Sequence, residues 1–88
     1  MVDVRDFDRA IKVKMLLFGP LAEKMETREI EVSLNEGTSL MELAQRFELL
    51  EMISSGLRVA IDGQIESDIS RILHDSAEVA FLPPVSGG

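Results

Sequence analysis

Apolar residues fall along this chain in two periods. From Ile11 to Phe18, Ile11, Val13, Met15 and Leu17 alternate with Lys12, Lys14, Leu16 and Phe18, the period of a strand with one buried face. Gly19-Pro20 ends that strand, and Leu21 to Met25 is compatible with a helix. Ile30, Val32 and Leu34 alternate with Glu29, Glu31 and Ser33 as a second half-buried strand, closed by the turn residues Asn35-Glu36-Gly37. The period then lengthens. Ser39-Leu40-Met41-Glu42 has the spacing of a capping box, and Leu40, Leu43, Ala44, Phe47 and Leu50 follow at helical spacing with Glu42, Gln45, Arg46 and Glu48 opposite. One main amphipathic helix is predicted there, with Phe47 on its buried stripe. Past Ser54-Ser55-Gly56, Leu57, Val59 and Ile61 alternate with Arg58 and Ala60. Asp62-Gly63 is a tight-turn signal, and Gln64-Ile65-Glu66 reads as a short return strand. Residues 67–76 are polar, with Ile69, Ile72 and Leu73 as anchors; Ala77, Val79 and Phe81 then alternate with Glu78, Ala80 and Leu82. Pro83-Pro84 stops this last strand, because neither proline can donate to a ladder.

Two hairpin-like ends joined by one helix imply an α+β fold, a mixed sheet with the main helix packed on one face. The crossover lets the first and last strands lie parallel and central, the arrangement called a β-grasp. With 88 residues there is room for one domain. Its expected parts are an N-terminal arm at 1–10, a body at 11–84 and an extended tail at 85–88.

Composition narrows the chemistry. A core of this size leaves little space for a cofactor cavity, so a self-sufficient enzyme is disfavoured and no bound cofactor is expected. The formal charge of −7 repels phosphate backbones and anionic membranes, which points away from nucleic acid and lipid and towards a protein partner. The absence of cysteine removes disulfides, thiolate metal sites and thiol nucleophiles, and a single histidine, His74, cannot complete a metal site. No apolar run reaches the roughly 20 residues of a membrane helix, and the start has no signal-peptide core, so a cytoplasmic location is expected.

The carboxyl end is where this sequence departs from an ordinary surface. Residues 79–88, Val-Ala-Phe-Leu-Pro-Pro-Val-Ser-Gly-Gly, carry no charged side chain. The two prolines favour an extended exit, and Pro84, Val85, Ser86 and Gly87 would project the carboxylate of Gly88 by about 13 Å, at roughly 3.3 Å per residue. Terminal glycines without a Cβ can enter a channel as narrow as a backbone, leaving that carboxylate open to an enzyme that activates it. Beside the exit, strand alternation turns Leu16, Phe18, Ala80 and Leu82 outward, so these residues are expected to form an apolar docking patch.

These residues resemble the small-subunit family of molybdopterin synthase, among the ubiquitin-like sulfur carriers that include the thiamine carrier. The resemblance covers about residues 11–88. It is most specific in Glu78-Val79-Ala80-Phe81-Leu82-Pro83-Pro84-Val85-Ser86-Gly87-Gly88, and Lys14-Met15-Leu16-Leu17-Phe18-Gly19 and Glu36-Gly37-Thr38-Ser39 also fit. The chain departs from the family pattern at Ala22-Glu23, Asp62-Gly63 and Ser76-Ala77, all away from the tail. The resemblance implies a non-catalytic subunit. Its Gly88 is adenylated by an ATP-dependent activating enzyme, receives sulfur from a sulfurtransferase as a thiocarboxylate, and donates it to the cyclic pterin precursor of molybdenum cofactor. It also implies that the tail enters the active site of a large synthase subunit in a heterotetramer, with Phe18, Ile65 and Leu82 as apolar contacts. Three alternatives stand beside this one: a ubiquitin-like protein modifier, a sulfur donor for tRNA thiolation or thiamine synthesis, and a passive interaction domain.

Overall fold

In the computed structural model, residues 9–84 are described. Residues 1–8 of the expected arm at 1–10, and the tail at 85–88, lie outside the described residues. The elements run β1 (Ala10–Leu17), α1 (Gly19–Met25), β2 (Glu29–Asn35), α2 (Leu40–Arg46), α3 (Leu50–Ser54), β3 (Arg58–Ile61), β4 (Gln64–Glu66) and β5 (Glu78–Leu82). They build one five-stranded sheet in the order β2-β1-β5-β3-β4. Strand β1 pairs parallel with β5, and every other pairing is antiparallel. The parallel central pair is therefore the one that strand alternation and the helical crossover demanded. Strand β1 starts at Ala10, paired with Asn35, so the sheet takes in a residue assigned to the arm.

Alternation decides the two faces. Ile11, Val13, Met15 and Leu17 of β1, Val32 and Leu34 of β2, Val59 and Ile61 of β3, and Val79 and Phe81 of β5 are buried on one side. There they meet Leu21 of α1 and Leu40, Leu43 and Ala44 of α2. Phe81 is the largest fully enclosed side chain, on the strand that leads to the carboxyl end.

Helix α2 begins where the capping box places it. The Ser39 amide donates to Glu42 Oε1 at 2.9 Å, and the Glu42 amide donates to Ser39 Oγ at 3.1 Å. The next donors of the first turn are met by the long segment before β5: Leu40 N–H reaches the Arg71 carbonyl at 2.8 Å, and Met41 N–H reaches that of Ile69 at 2.7 Å.

The single long helix expected from the periodicity is two short ones. Glu48 adopts φ 57°, which ends α2, and Leu49 N–H turns back to the Ala44 carbonyl at 2.8 Å. That kink moves the inward position by one residue. Leu49 is buried, whereas Phe47 and Leu50 are only partly so. Ile72 is a second correction: it is 57% exposed, and its segment is tied to α2 by backbone bonds instead, with Leu73 as the buried anchor.

The two departures before β4 and β5 share a backbone cause. Asp62 and Ser76 take φ values of 50° and 67°, the left-handed region that asparagine and glycine adopt at lower cost. Asp62 offsets part of that strain through its side chain, which accepts from Glu78 N–H at 3.0 Å and lies 2.7 Å from His74 Nε2. His74 is thus a structural tie between the β3–β4 turn and the start of β5.

Part of the outward-facing backbone of β2 is occupied. Glu29 N–H and C=O both bond the Thr27 hydroxyl, the Ser33 carbonyl accepts from Arg46, and the Asn35 carbonyl accepts from the amide and hydroxyl of Thr38.

Candidate functional site

The face of the sheet opposite the helices carries the predicted patch. Register aligns Leu16 of β1 with Ala80 of β5, Ala80 with Ala60 of β3, and Ala60 with Ile65 of β4. One apolar row thus crosses four strands. Its middle is two methyl groups and its ends are Leu16 and Ile65, so the row is a shallow trough. Ile65 is 52% exposed, while Ala60 is only 6% exposed because its neighbours on both sides crowd it. Alternation did place Ala60 outward, but it was not recognised as part of the patch; its position opposite both Ala80 and Ile65 is what adds it.

One step towards the carboxyl end, Leu82 lies opposite Arg58. In the other direction the face becomes charged, with Lys14 opposite Glu78 and Glu31 and its ammonium 3.8 Å from Glu29. The expected change from charged to apolar along β1 is therefore present.

Phe18 stands just past β1, where it caps α1 with an extended backbone, and it is 43% exposed. It lines two depressions. With Leu16, Ala22, Glu23 and Glu26 it borders a broad groove of about 910 Å³ beside α1. With Pro20, Leu21, Met52, Leu57, Pro83 and Pro84 it encloses a small cleft of about 210 Å³ at the root of the tail. Pattern reading did not find Pro20, Met52 or Leu57 for this site, since each belongs to an element whose periodicity explains it already.

The exit of the chain is held from two sides. A Cβ on Gly19 would come within 3.7 Å of the Pro83 ring, and one on Gly56 within 3.3 Å of Pro84. Both glycines have positive φ, 55° and 119°. The two prolines therefore leave β5 between the start of α1 and the corner before β3, each carrying a glycine where a side chain would face a proline. Of the residues expected at this site, Phe18, Ile65, Leu82, Leu16, Ala80 and Pro84 gather at one end and one face of the sheet. Val85, Ser86, Gly87 and Gly88 lie outside the described residues.

Two carboxylates lie below their ordinary range, at the end of β4 and just after it: the Arg71 guanidinium, 2.6 Å away, and the Asp68 amide hold Glu66 below the ordinary glutamate range, and the Ser70 hydroxyl and amide do the same for Asp68. What the arrangement can do is present a backbone and grip a partner.

Comparison with known proteins agrees with that geometry. The chain is 35% identical over 83 residues to the molybdopterin synthase sulfur carrier subunit of Mycobacterium tuberculosis, a match spanning 89% of this chain and 99% of the relative. Among solved structures, the complex of subunits 1 and 2 of the molybdopterin-converting factor from Helicobacter pylori contains a chain matched with TM-score 0.64 and 23% identity, over 89% of this chain and 100% of that one. The solution structure of small archaeal modifier protein 1 from Methanosarcina acetivorans matches with TM-score 0.67 and 25% identity, over 91% of this chain and 99% of that one. The structural likenesses fix the fold as a ubiquitin-like β-grasp. Residues 15–88, from the middle of β1 through the last glycine, match the ThiS family, and the chain belongs to it.

Proposed function

We propose that this chain is a sulfur carrier for molybdopterin synthesis, the small and non-catalytic subunit of molybdopterin synthase, with Gly88 as the point of attachment. The observation that carries the reading is the junction between body and tail. A central strand buried in the core passes through two clasped prolines straight into Val85-Ser86-Gly87-Gly88, beside an apolar row made by four strands. The family match and the carrier subunit of Mycobacterium tuberculosis support it.

The chemistry needs nothing from this chain except its end. An oxygen of the Gly88 carboxylate attacks the α-phosphorus of ATP on an activating enzyme, and pyrophosphate leaves. Sulfide sulfur, delivered by a sulfurtransferase, then adds to the acyl carbon. AMP departs with the original carboxylate oxygen, and a thiocarboxylate remains. In the large synthase subunit the thiocarboxylate sulfur bonds to a carbon of the cyclic pterin precursor as that carbon gives up an oxygen substituent, and water attacks the acyl carbon, breaking its bond to sulfur and restoring the carboxylate. A carboxylate is a poor electrophile, so the adenylate supplies the leaving group, and no cysteine is required. The chain's own contribution is affinity: ordering four tail residues costs on the order of 1–2 kcal/mol each, and the apolar row offsets that on docking. Among the described residues no helix is long and apolar enough to cross a membrane, consistent with cytoplasmic partners.

Intact mass spectrometry after incubation with the cognate activating enzyme, ATP and a sulfur source tests this reading. One oxygen should be replaced by sulfur at Gly88, and a chain ending at Gly87 should stay unchanged; an unaltered mass for the full chain refutes the proposal. The likeness to a small archaeal modifier protein favours one second reading, a protein modifier joined through Gly88 to lysines. Isopeptide-linked adducts in cells, lost when Gly88 is removed, would establish it.

A further inference from the structure

Gly56 occupies the corner between α3 and β3 with φ 119°, and the nearest atoms to the place its Cβ would take are Cβ and Cγ of Pro84, at 3.3 and 3.9 Å. The first distance is tighter than ordinary van der Waals contact. We propose that Gly56 is a positioning residue for the carboxyl end: the side chain it lacks leaves the space in which Pro84 lies, and that space fixes where the chain leaves the sheet at Pro84. The inference rests on the sulfur-carrier reading and adds to it the residue that aims the tail.

Two facts combine to give a glycine this effect. Proline rings lock φ, and the residue before a proline is itself restricted, so consecutive prolines pass on a sideways push instead of absorbing it. On the opposite side a Cβ added at Gly19 would stand 3.7 Å from Pro83, an ordinary van der Waals spacing, so added bulk is resisted only at Gly56.

Substitution at a positive-φ glycine strains the backbone wherever it is made, so the test needs a matched control. Gly37 supplies it, with φ 94°, no atom within 4 Å of its would-be Cβ, and a place in the turn after β2 at the other end of the sheet. Gly56→Ala and Gly37→Ala should both lower the melting temperature. In ATP–pyrophosphate exchange with the cognate activating enzyme, Gly56→Ala should raise the KM for the carrier about tenfold at unchanged kcat, short of the ~100-fold that a 1 Å misplacement can cost. Its backbone amide shifts at 85–88 should also move. Gly37→Ala should keep wild-type KM and tail shifts. Equal KM and equal tail shifts for the two variants overturn the inference. Should Gly56→Ala fail to fold, Pro84→Gly removes the ring from the other side of the contact and should raise KM similarly; a wild-type KM there overturns the inference as well. A wild-type chain that is not activated refutes sulfur carriage instead, and the tail shifts, which need no enzyme, then decide the role of Gly56.

Discussion

Phe18→Asp separates the grip of this protein from its fold. Phe18 is 43% exposed, so folding has already captured a little over half of what its burial can give. Full burial of a phenylalanine stabilises by about 1.5–3 kcal/mol, so the variant should lose about 1–1.5 kcal/mol of stability. The exposed remainder, about 1 kcal/mol, is available to a partner. A carboxylate forced into an apolar contact adds about 1–2 kcal/mol of unmet desolvation. Together these weaken docking by about 2–3 kcal/mol, a rise in Kd of roughly 30- to 150-fold. Titration calorimetry against the large synthase subunit, run at two salt concentrations to remove the effect of one more charge on a chain already at −7, measures the docking loss. Urea unfolding measures the stability loss. A stability loss above about 3 kcal/mol, the scale of a core aromatic deletion, would mean that Phe18 belongs to the core. A Kd within threefold of wild type would remove it from the interface.

Two further outcomes follow from the packing and the charges. Phe81→Ala should cost about 3–5 kcal/mol in urea unfolding, and Phe47→Ala only about 1–2 kcal/mol because that ring is half-buried. Glu66 titrates below its ordinary value of 4.5 because it accepts from Arg71 and from the Asp68 amide. A depressed carboxylate contributes stability that is fully present above its unfolded-state value and is lost as pH falls through the lower folded value. Arg71→Gln should therefore raise the Glu66 midpoint in a carboxyl NMR titration and flatten the stability curve below about pH 4.5; an unmoved midpoint would show that the ion pair does not persist in solution.

Much of this architecture could be read from residue order, for physical reasons that name its exceptions. Strands declared themselves because β1, β2, β3 and β5 each bury one face, and period two has no competitor when one side is solvent. The start of α2 was legible because Ser39 and Glu42 must satisfy first-turn amides wherever the fold places them. The break after Arg46 was not, since Glu48 reaches a left-handed conformation with no glycine or proline to announce it. The stripe beyond the break was consequently placed one residue out of phase: Leu49 holds the core position expected of Leu50, and Phe47 is only partly buried. At the site, alternation found Leu16, Ala80 and Leu82, while Ala60 needed the register of three strands. The clasp of Pro83 and Pro84 by Gly19 and Gly56 joins loops distant in sequence, which no local pattern encodes.

The occupied backbone of β2 has a bearing on how such a protein survives in quantity. Under the proposed function the chain end threads into other molecules, and an open sheet margin on a neighbouring copy would offer such an end somewhere to zip, the first step towards a fibre. Thr27, Thr38 and Arg46 bond the Glu29 amide and the Glu29, Ser33 and Asn35 carbonyls of that margin, which leaves a stray strand fewer sites on which to zip.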